Sequence, residues 1–279
     1  MRRRYLDRGD DVDEADGGHP EPTPPDESAS PSRGVNEPGK APAAWRSLPA
    51  FRGRLDGSDQ MLIIAGTGGS KSTLAATLTL RASSLVVIDE KARLVLPGAT
   101  VHELPRYDRD AEGGMAFRAA LADALRWRPA EEGNRVILRP HVLDIESFDL
   151  HDAIYEAVYM RGHTMLWIDE ITATGATPAR SQPWLRALSA RGRTRGIGIV
   201  TLTQAPFGLT PAILRRNATY VVFGPIDPED VGDLRRSGID LATELPLRSG
   251  LFLVYPKGDR TVYRLHLPIP PELRGWESP

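Results

Sequence analysis

Met61-Leu62-Ile63-Ile64-Ala65 is an uninterrupted apolar run, and it leads straight into Gly66-Thr67-Gly68-Gly69-Ser70-Lys71-Ser72-Thr73. A short apolar run bounded by a turn signal reads as a strand buried on both faces. Leu74 to Arg81 then reads as a helix. Strand, glycine-rich turn and helix in that order are the first half of an α/β unit. A turn of this kind lets backbone N–H groups approach a ligand closely. The helix N-terminus adds partial positive charge, and Lys71 adds a mobile cation. Together these groups suit phosphate.

Residues 65–72 follow the phosphate-loop pattern G-x-x-x-x-G-K-[ST] with two departures. Ala65 stands for the first Gly, and Ser70 stands for the Gly before Lys. A Cβ at position 70 either crowds the loop or demands an unusual dihedral. Anchoring the pattern on Gly66 instead gives a shortened loop, and a plain Gly/Ser turn beside a surface Lys is the bland alternative. In the phosphate-loop reading, Gly66, Thr67, Gly68, Gly69, Ser70, Lys71, Ser72 and Thr73 cradle the phosphates of ATP. Lys71 bridges the β- and γ-phosphates, Ser72 places its hydroxyl on Mg²⁺, and Thr73 sits near the α-phosphate.

Two acidic pairs follow apolar runs: Ile88-Asp89-Glu90 and Ile168-Asp169-Glu170. Hydrolysis needs one Asp to hold Mg²⁺ and a neighbouring Glu to polarise water. Asp89 ends the very next strand after the loop helix. In ATPases with an additional strand, that strand lies away from the loop, and another is inserted between the loop strand and the acidic one. Asp169 and Glu170 have room for this, so they are the expected metal ligand and catalytic carboxylate. The run Ile197–Thr203 ends at Gln204, whose amide suits a sensor of the γ-phosphate or the lytic water.

The rest of the chain keeps alternating. Apolar runs at Ser84–Asp89, Val136–Leu138, Met165–Asp169, Ile197–Gln204 and Tyr220–Phe223 read as strands. Helical spacing covers 115–127, 146–161, Trp184–Arg191, Pro211–Arg216 and Asp227–Arg236. Strands at Leu251–Tyr255 and Thr261–Leu265 flank Pro256-Lys257-Gly258-Asp259, a hairpin turn. The expected fold is a three-layer α/β domain over residues 46–279, with a mainly parallel sheet and an antiparallel hairpin at its C-terminal edge.

Gly192-Arg193-Thr194-Arg195-Gly196, the strand to Gln204 and the helix Pro211–Asn217 resemble a block of the HerA–FtsK superfamily of P-loop ATPases, which are of the additional-strand, catalytic-glutamate type. Ile88-Asp89-Glu90-Lys91 resembles the family's D-x-K at the end of the second strand. The resemblance covers roughly 58–267. It implies an ATP-hydrolysing motor acting on double-stranded DNA, built as a homo-oligomeric ring, a hexamer in the first instance. It implies an arginine finger at Arg193, with Arg195 as alternate, reaching across a subunit interface. Basic residues near pore loops, Arg191 and Arg215 among them, would grip DNA phosphates. A nearly bare motor core is most similar to small bacteriophage genome-packaging ATPases, working in the host cytoplasm or on the virion against a capsid or membrane vertex protein. A conjugation, plasmid or repair translocase is the alternative, and a nucleotide-binding scaffold without turnover is a third reading.

Composition narrows the field. The 279 residues carry a net charge of −2, so bulk charge does not announce a nucleic-acid binder. There is no cysteine, which excludes disulfides and thiolate metal sites. No apolar run reaches the roughly 18 residues of a membrane span. The first forty residues hold ten acidic and six basic residues among many Pro, Gly and Ser. Such a stretch buries too little apolar surface to offset the entropy of ordering, so 1–45 is expected to be a disordered tail.

Overall fold

Every residue of the loop strand is buried, and this follows from its place in the middle of a wide sheet. The computed structural model describes residues 58–108, 111–129, 134–236, 239, 247, 249–258, 262–266 and 273. The expected tail, 1–45, lies outside them. Strand β1 (Gln60–Ile64) leads into helix α1 (Lys71–Thr79). Then come β2 (Ser84–Ile88), β3 (Thr100–Glu103), α2 (Ala111–Ala124), β4 (Asn134–Arg139), α3 (Phe148–Arg161) and β5 (Met165–Ile168). The chain continues through α4 (Pro183–Arg191), β6 (Gly198–Thr203), α5 (Ala212–Asn217), β7 (Tyr220–Phe223), α6 (Val231–Arg236), β8 (Leu251–Pro256) and β9 (Tyr263–His266).

The sheet order is β3-β4-β2-β5-β6-β1-β7-β8-β9. The seven strands from β3 to β7 in that order are mutually parallel. β8 runs antiparallel to β7, and β9 antiparallel to β8, which is the expected edge hairpin. β1 pairs with β6 and β7, while β5 pairs with β6 and β2. One strand, β6, therefore stands between the loop strand and the strand that ends at Asp169. β2, which leads to Asp89, lies beyond β5 and farther from the loop.

Side-chain alternation builds the three layers. In β2, Leu85 and Val87 pack with Leu74 and Leu78 of α1, whereas Val86 and Ile88 pack with Phe117 of α2 and Ile154 of α3. In β1, Met61 and Ile63 face the α1 layer, and Leu62 and Ile64 face Leu234 of α6. Burial of one such side chain contributes roughly 1.5–3 kcal/mol, so apolar residues on both faces hold the central strands in register. Helix ends follow local chemistry. Ser147 Oγ accepts from Leu150 N at 3.3 Å to cap α3, and Pro183 opens α4.

β3 is absent from the sequence-based expectation. Three of its four residues are exposed, so neither a continuous apolar run nor a clean alternation marks it. α1 starts at Lys71, three residues before the expected Leu74, because the phosphate-loop lysine is already helical.

Candidate active site

The C-terminal ends of β1, β5 and β6 meet at one rim of the sheet, the usual place for ligands in parallel α/β folds. A cleft of about 360 Å³ opens there, lined by Thr67 to Ser72, Lys91, Arg93 and Gln204. Asp169 and Glu170 lie beneath it, only 3% and 7% exposed.

The loop tolerates its two departures for different reasons. Ala65 fits because its neighbours are glycine. A Cβ on Gly224 would come within 2.7 Å of the Ala65 Cβ, and one on Gly69 within 3.0 Å. Ser70 takes the left-handed conformation, φ 61° and ψ 25°, which glycine would adopt without strain. Its hydroxyl pairs with Ser249 Oγ at 2.8 Å, and Ser249 Oγ donates to Gly68 O at 3.0 Å. Replacing Ser70 with Gly removes a strain of about 1 kcal/mol and loses only an exposed hydroxyl pair. Thermal unfolding of the nucleotide-free variant should rise by about 2–4 °C. A fall would show that the Ser249 bridge outweighs the strain.

Lys71 is 7% exposed, and its ammonium donates to Ala65 O at 2.5 Å and Gly66 O at 2.9 Å. Burial pushes its pKa down to about 8, against the pull of Glu170 and Asp169 and with a further push from Lys91. Ser72 Oγ donates to Asp169 Oδ1 at 3.1 Å. Asp169 is held above the usual carboxylate range, chiefly by burial, with Lys91 and Ser72 opposing. Glu170 is gripped on both oxygens: Thr172 Oγ1 donates to Oε1 at 2.7 Å, and Gln204 N donates to Oε2 at 3.3 Å. Thr67 Oγ1 donates to Gln204 Oε1 at 2.9 Å. Thus the loop, the acidic pair and the strand-end amide form one connected network.

A hydroxyl and a carboxylate oxygen converging at 3.1 Å are the hard donors that Mg²⁺ takes. That ion is ordinarily held by one or two carboxylates together with substrate phosphates rather than by an all-protein cage. Among the described residues there is no cluster of three His, Cys, Asp or Glu able to hold a metal alone. Ser72 and Asp169 therefore fit magnesium carried in on a nucleotide.

No family model matches the chain. A probable helicase, MJECL08, of Methanocaldococcus jannaschii is 28% identical over 127 residues, 43% of this chain and 23% of its own length. The chain thus spans about a quarter of that relative. Among solved structures, the genome packaging NTPase B204 of Sulfolobus turreted icosahedral virus 2, in complex with AMPPCP, is similar with a TM-score of 0.57. It is 17% identical, covering 77% of this chain and all of B204. The bacterial conjugative coupling protein TrwB, lacking its N-terminal segment, gives a TM-score of 0.51 at 12% identity, covering 77% of this chain and 86% of TrwB. VirB4 of Thermoanaerobacter pseudethanolicus gives 0.50 at 17% identity, covering 76% and 89%. The chain shares with these proteins a mainly parallel α/β sheet with an antiparallel edge hairpin, the fold of P-loop NTPases.

Within this P-loop fold, Gly66, Thr67, Gly68, Gly69, Ser70, Lys71, Ser72, Asp169, Glu170 and Gln204 come together at one rim. Thr73 lies one residue further into α1 and is not among the residues lining the cleft. Arg193 lies elsewhere. It precedes β6, whereas Gln204 follows it, so the two stand at opposite ends of a six-residue strand, about 20 Å apart. Arg193 is exposed, donates to Thr219 Oγ1 at 2.6 Å, and lines a second cleft of about 290 Å³ with Lys257 and Asn217. Arg195 donates to Tyr159 O at 2.7 Å and stacks on the Tyr159 ring, so it is tied to α3 of its own chain. Arg215 donates to Thr210 O at 3.1 Å and lies over Phe207, while Arg191 is exposed.

The other acidic pair serves the frame. Asp89 closes a turn and pairs with Arg139 at 3.2 Å. Glu90 is buried beside His151, with Oε1 3.9 Å from Nε2. His151 Nδ1 lies 2.9 Å from Ser147 O and must donate to it, which leaves Nε2 as an acceptor in the neutral ring. Burial lowers the His151 pKa to about 4 and raises that of Glu90 well above the usual carboxylate range. Both shifts disfavour the charged form, and burial is the main cause of each. Lys91 and Arg93 are cleft residues to which sequence reasoning gave no role. The D-x-K resemblance at Asp89-Glu90-Lys91 was a signal for Lys91, and none marked Arg93.

Proposed function

We propose that the chain is an ATP-driven translocase of double-stranded DNA that packages a viral genome. The observation that carries this reading is the network at the sheet rim: Lys71, Ser72 and Asp169, Glu170 and Gln204, with β6 between the loop strand and the acidic strand. The likeness to the B204 packaging NTPase over nearly its whole length supports packaging as the use of that site.

In this reading the backbone N–H groups of the loop and the Lys71 ammonium hold the β- and γ-phosphates. Ser72 and Asp169 would hold Mg²⁺, which when bound would supply charge neutralisation on the phosphate oxygens. Glu170, fixed by Thr172 and the Gln204 N–H, accepts a proton from the lytic water. The water oxygen bonds to the γ-phosphorus as the bond from that phosphorus to the β–γ bridging oxygen breaks, and ADP leaves with the electron pair. The Gln204 amide orients the water or the γ-phosphate. Arg193, about a strand's length from its own cleft, serves the cleft of a neighbour in a ring taken as a hexamer. Among the described residues no helix is long and apolar enough to cross a membrane. The proposed docking partner is a capsid or vertex protein, on the virion or in the host cytoplasm.

Mixing two inactive variants tests the ring. Arg193→Ala keeps its cleft and loses its finger. Lys71→Ala loses its cleft and keeps its finger. Each alone should be nearly inactive, and a mixture should recover a readily measured fraction of wild-type ATP hydrolysis. Electron micrographs with a non-hydrolysable ATP analogue should show closed rings. No recovery on mixing, with rings present, would remove Arg193 from the neighbour's site.

A further inference from the structure

Asp89 follows β2 and is 1% exposed. Its Oδ2 accepts from Leu94 N at 2.8 Å and Arg139 Nε at 3.2 Å, while Ala92 N donates to Asp89 O at 3.3 Å. These bonds close a tight turn over residues 89–94 around one buried carboxylate. At its centre Ala92 has φ 52°, a left-handed conformation that costs a residue with a Cβ about 1 kcal/mol or more. Such strain persists only where the surroundings over-determine it, and it gathers at ligand sites.

The residues on either side of Ala92 are Lys91 and Arg93, and both line the cleft with Thr67 to Ser72 and Gln204. Lys91 Nζ lies 3.7 Å from Asp169 Oδ2. Arg93 is exposed and has no charge partner among the described residues. Lys91 is also close enough to Lys71 to lower its pKa. Three cations therefore converge on one cleft above Asp169 and Glu170, while the neighbouring Asp89 carboxylate is taken up by Arg139. Cations lining a phosphate-sized opening are complementary to a polyanion.

We propose that Lys91 and Arg93 are a second cationic arm of the nucleotide site, which reads the terminal phosphate and so makes the site prefer ATP to ADP. This rests on the nucleotide-binding reading above and adds a specificity determinant to it. In the empty cleft Lys91 is the counter-charge of buried Asp169. With a magnesium nucleotide bound, Asp169 would face the ion, and Lys91 would be free to turn to the phosphate tail. ADP ends one phosphate short and gains less from the arm. Lys91 and Arg93 act here as binding residues, not as partners in proton transfer.

Calorimetric titration of the full chain with ATP and with ADP, both with magnesium, tests the arm in wild type, Lys91→Met, Arg93→Met and the double variant. Wild type should bind ATP at least about tenfold more tightly than ADP, and the double variant should bring that ratio close to one, mainly through lost ATP affinity. Ala92→Gly, which relaxes the turn and keeps both cations, should retain the ratio. Circular dichroism checks that each variant is folded. Should the double variant fail to fold, Arg93→Met alone, which breaks no ion pair of the described residues, should still reduce the ratio by about threefold. An unchanged ratio, or equal losses for ATP and ADP, would overturn the arm while leaving nucleotide binding intact. Wild-type protein that binds neither nucleotide would remove the nucleotide-binding reading and the arm with it.

Discussion

Replacing Glu170 with Gln should lower steady-state ATP hydrolysis by about 10²–10⁴-fold, the usual contribution of a positioned general base. ATP affinity should stay within about threefold, because the carboxylate acts on the lytic water and makes no attractive contact with the phosphates. The substitution is nearly isosteric. Its one oxygen can accept from the Gln204 N–H, and the Thr172 hydroxyl can turn to accept from the new NH2 group, so the local frame survives. Loss of rate with retained binding separates a catalytic role from a structural one. A Glu170→Gln protein hydrolysing at the wild-type rate would exclude this carboxylate, and Glu90 could not replace it. Glu90 sits on the far side of β5, buried against His151.

Lys71→Ala should act on binding as well. Its ammonium occupies the centre of the loop, bonded to Ala65 O and Gly66 O, and it offsets the negative potential of Glu170 and Asp169. Without it two buried carboxylates face an incoming tetra-anion, with Lys91 and Arg93 the remaining cations. Affinity for ATP should fall by about ten- to a hundredfold, and hydrolysis at saturating ATP by a further factor of about 10²–10³. Equilibrium titration followed by a saturating-substrate rate measurement resolves the two parts. An unaltered affinity would mean that the phosphates are held elsewhere.

The parts of this molecule that sequence makes legible are those where burial dictates composition. Met61–Ile64 and Met165–Ile168 are flanked by strands and covered on both faces, so they are apolar throughout, and Gly198–Thr203 departs from this only at the buried Thr201 and Thr203. Asp169 was preferred to Asp89 on expected topology, and β6 does stand between β1 and β5. Edge strand β3 was not legible, since an exposed strand obeys no burial pattern. Nor was the cleft's far wall. Lys91 and Arg93 reach it through a left-handed Ala92, and no composition rule marks alanine as a turn former. Likewise, Ser70 meets Ser249 across 179 positions, a contact set by the return of β8 beside β7 and invisible to local spacing. The oddity of Ser70 was visible in the sequence. Its partner was not.

Arg193 stands at the N-terminal end of β6, apart from the cleft of its own chain, so its proposed role depends on a neighbouring copy.

Phosphate release from ATP by the purified full chain, followed with and without linear double-stranded DNA, decides whether this rim is a motor. Turnover that DNA stimulates and that vanishes in Glu170→Gln is the expected result. Tight ATP binding with no release of phosphate, with or without DNA, would contradict it and leave a nucleotide-binding scaffold in its place.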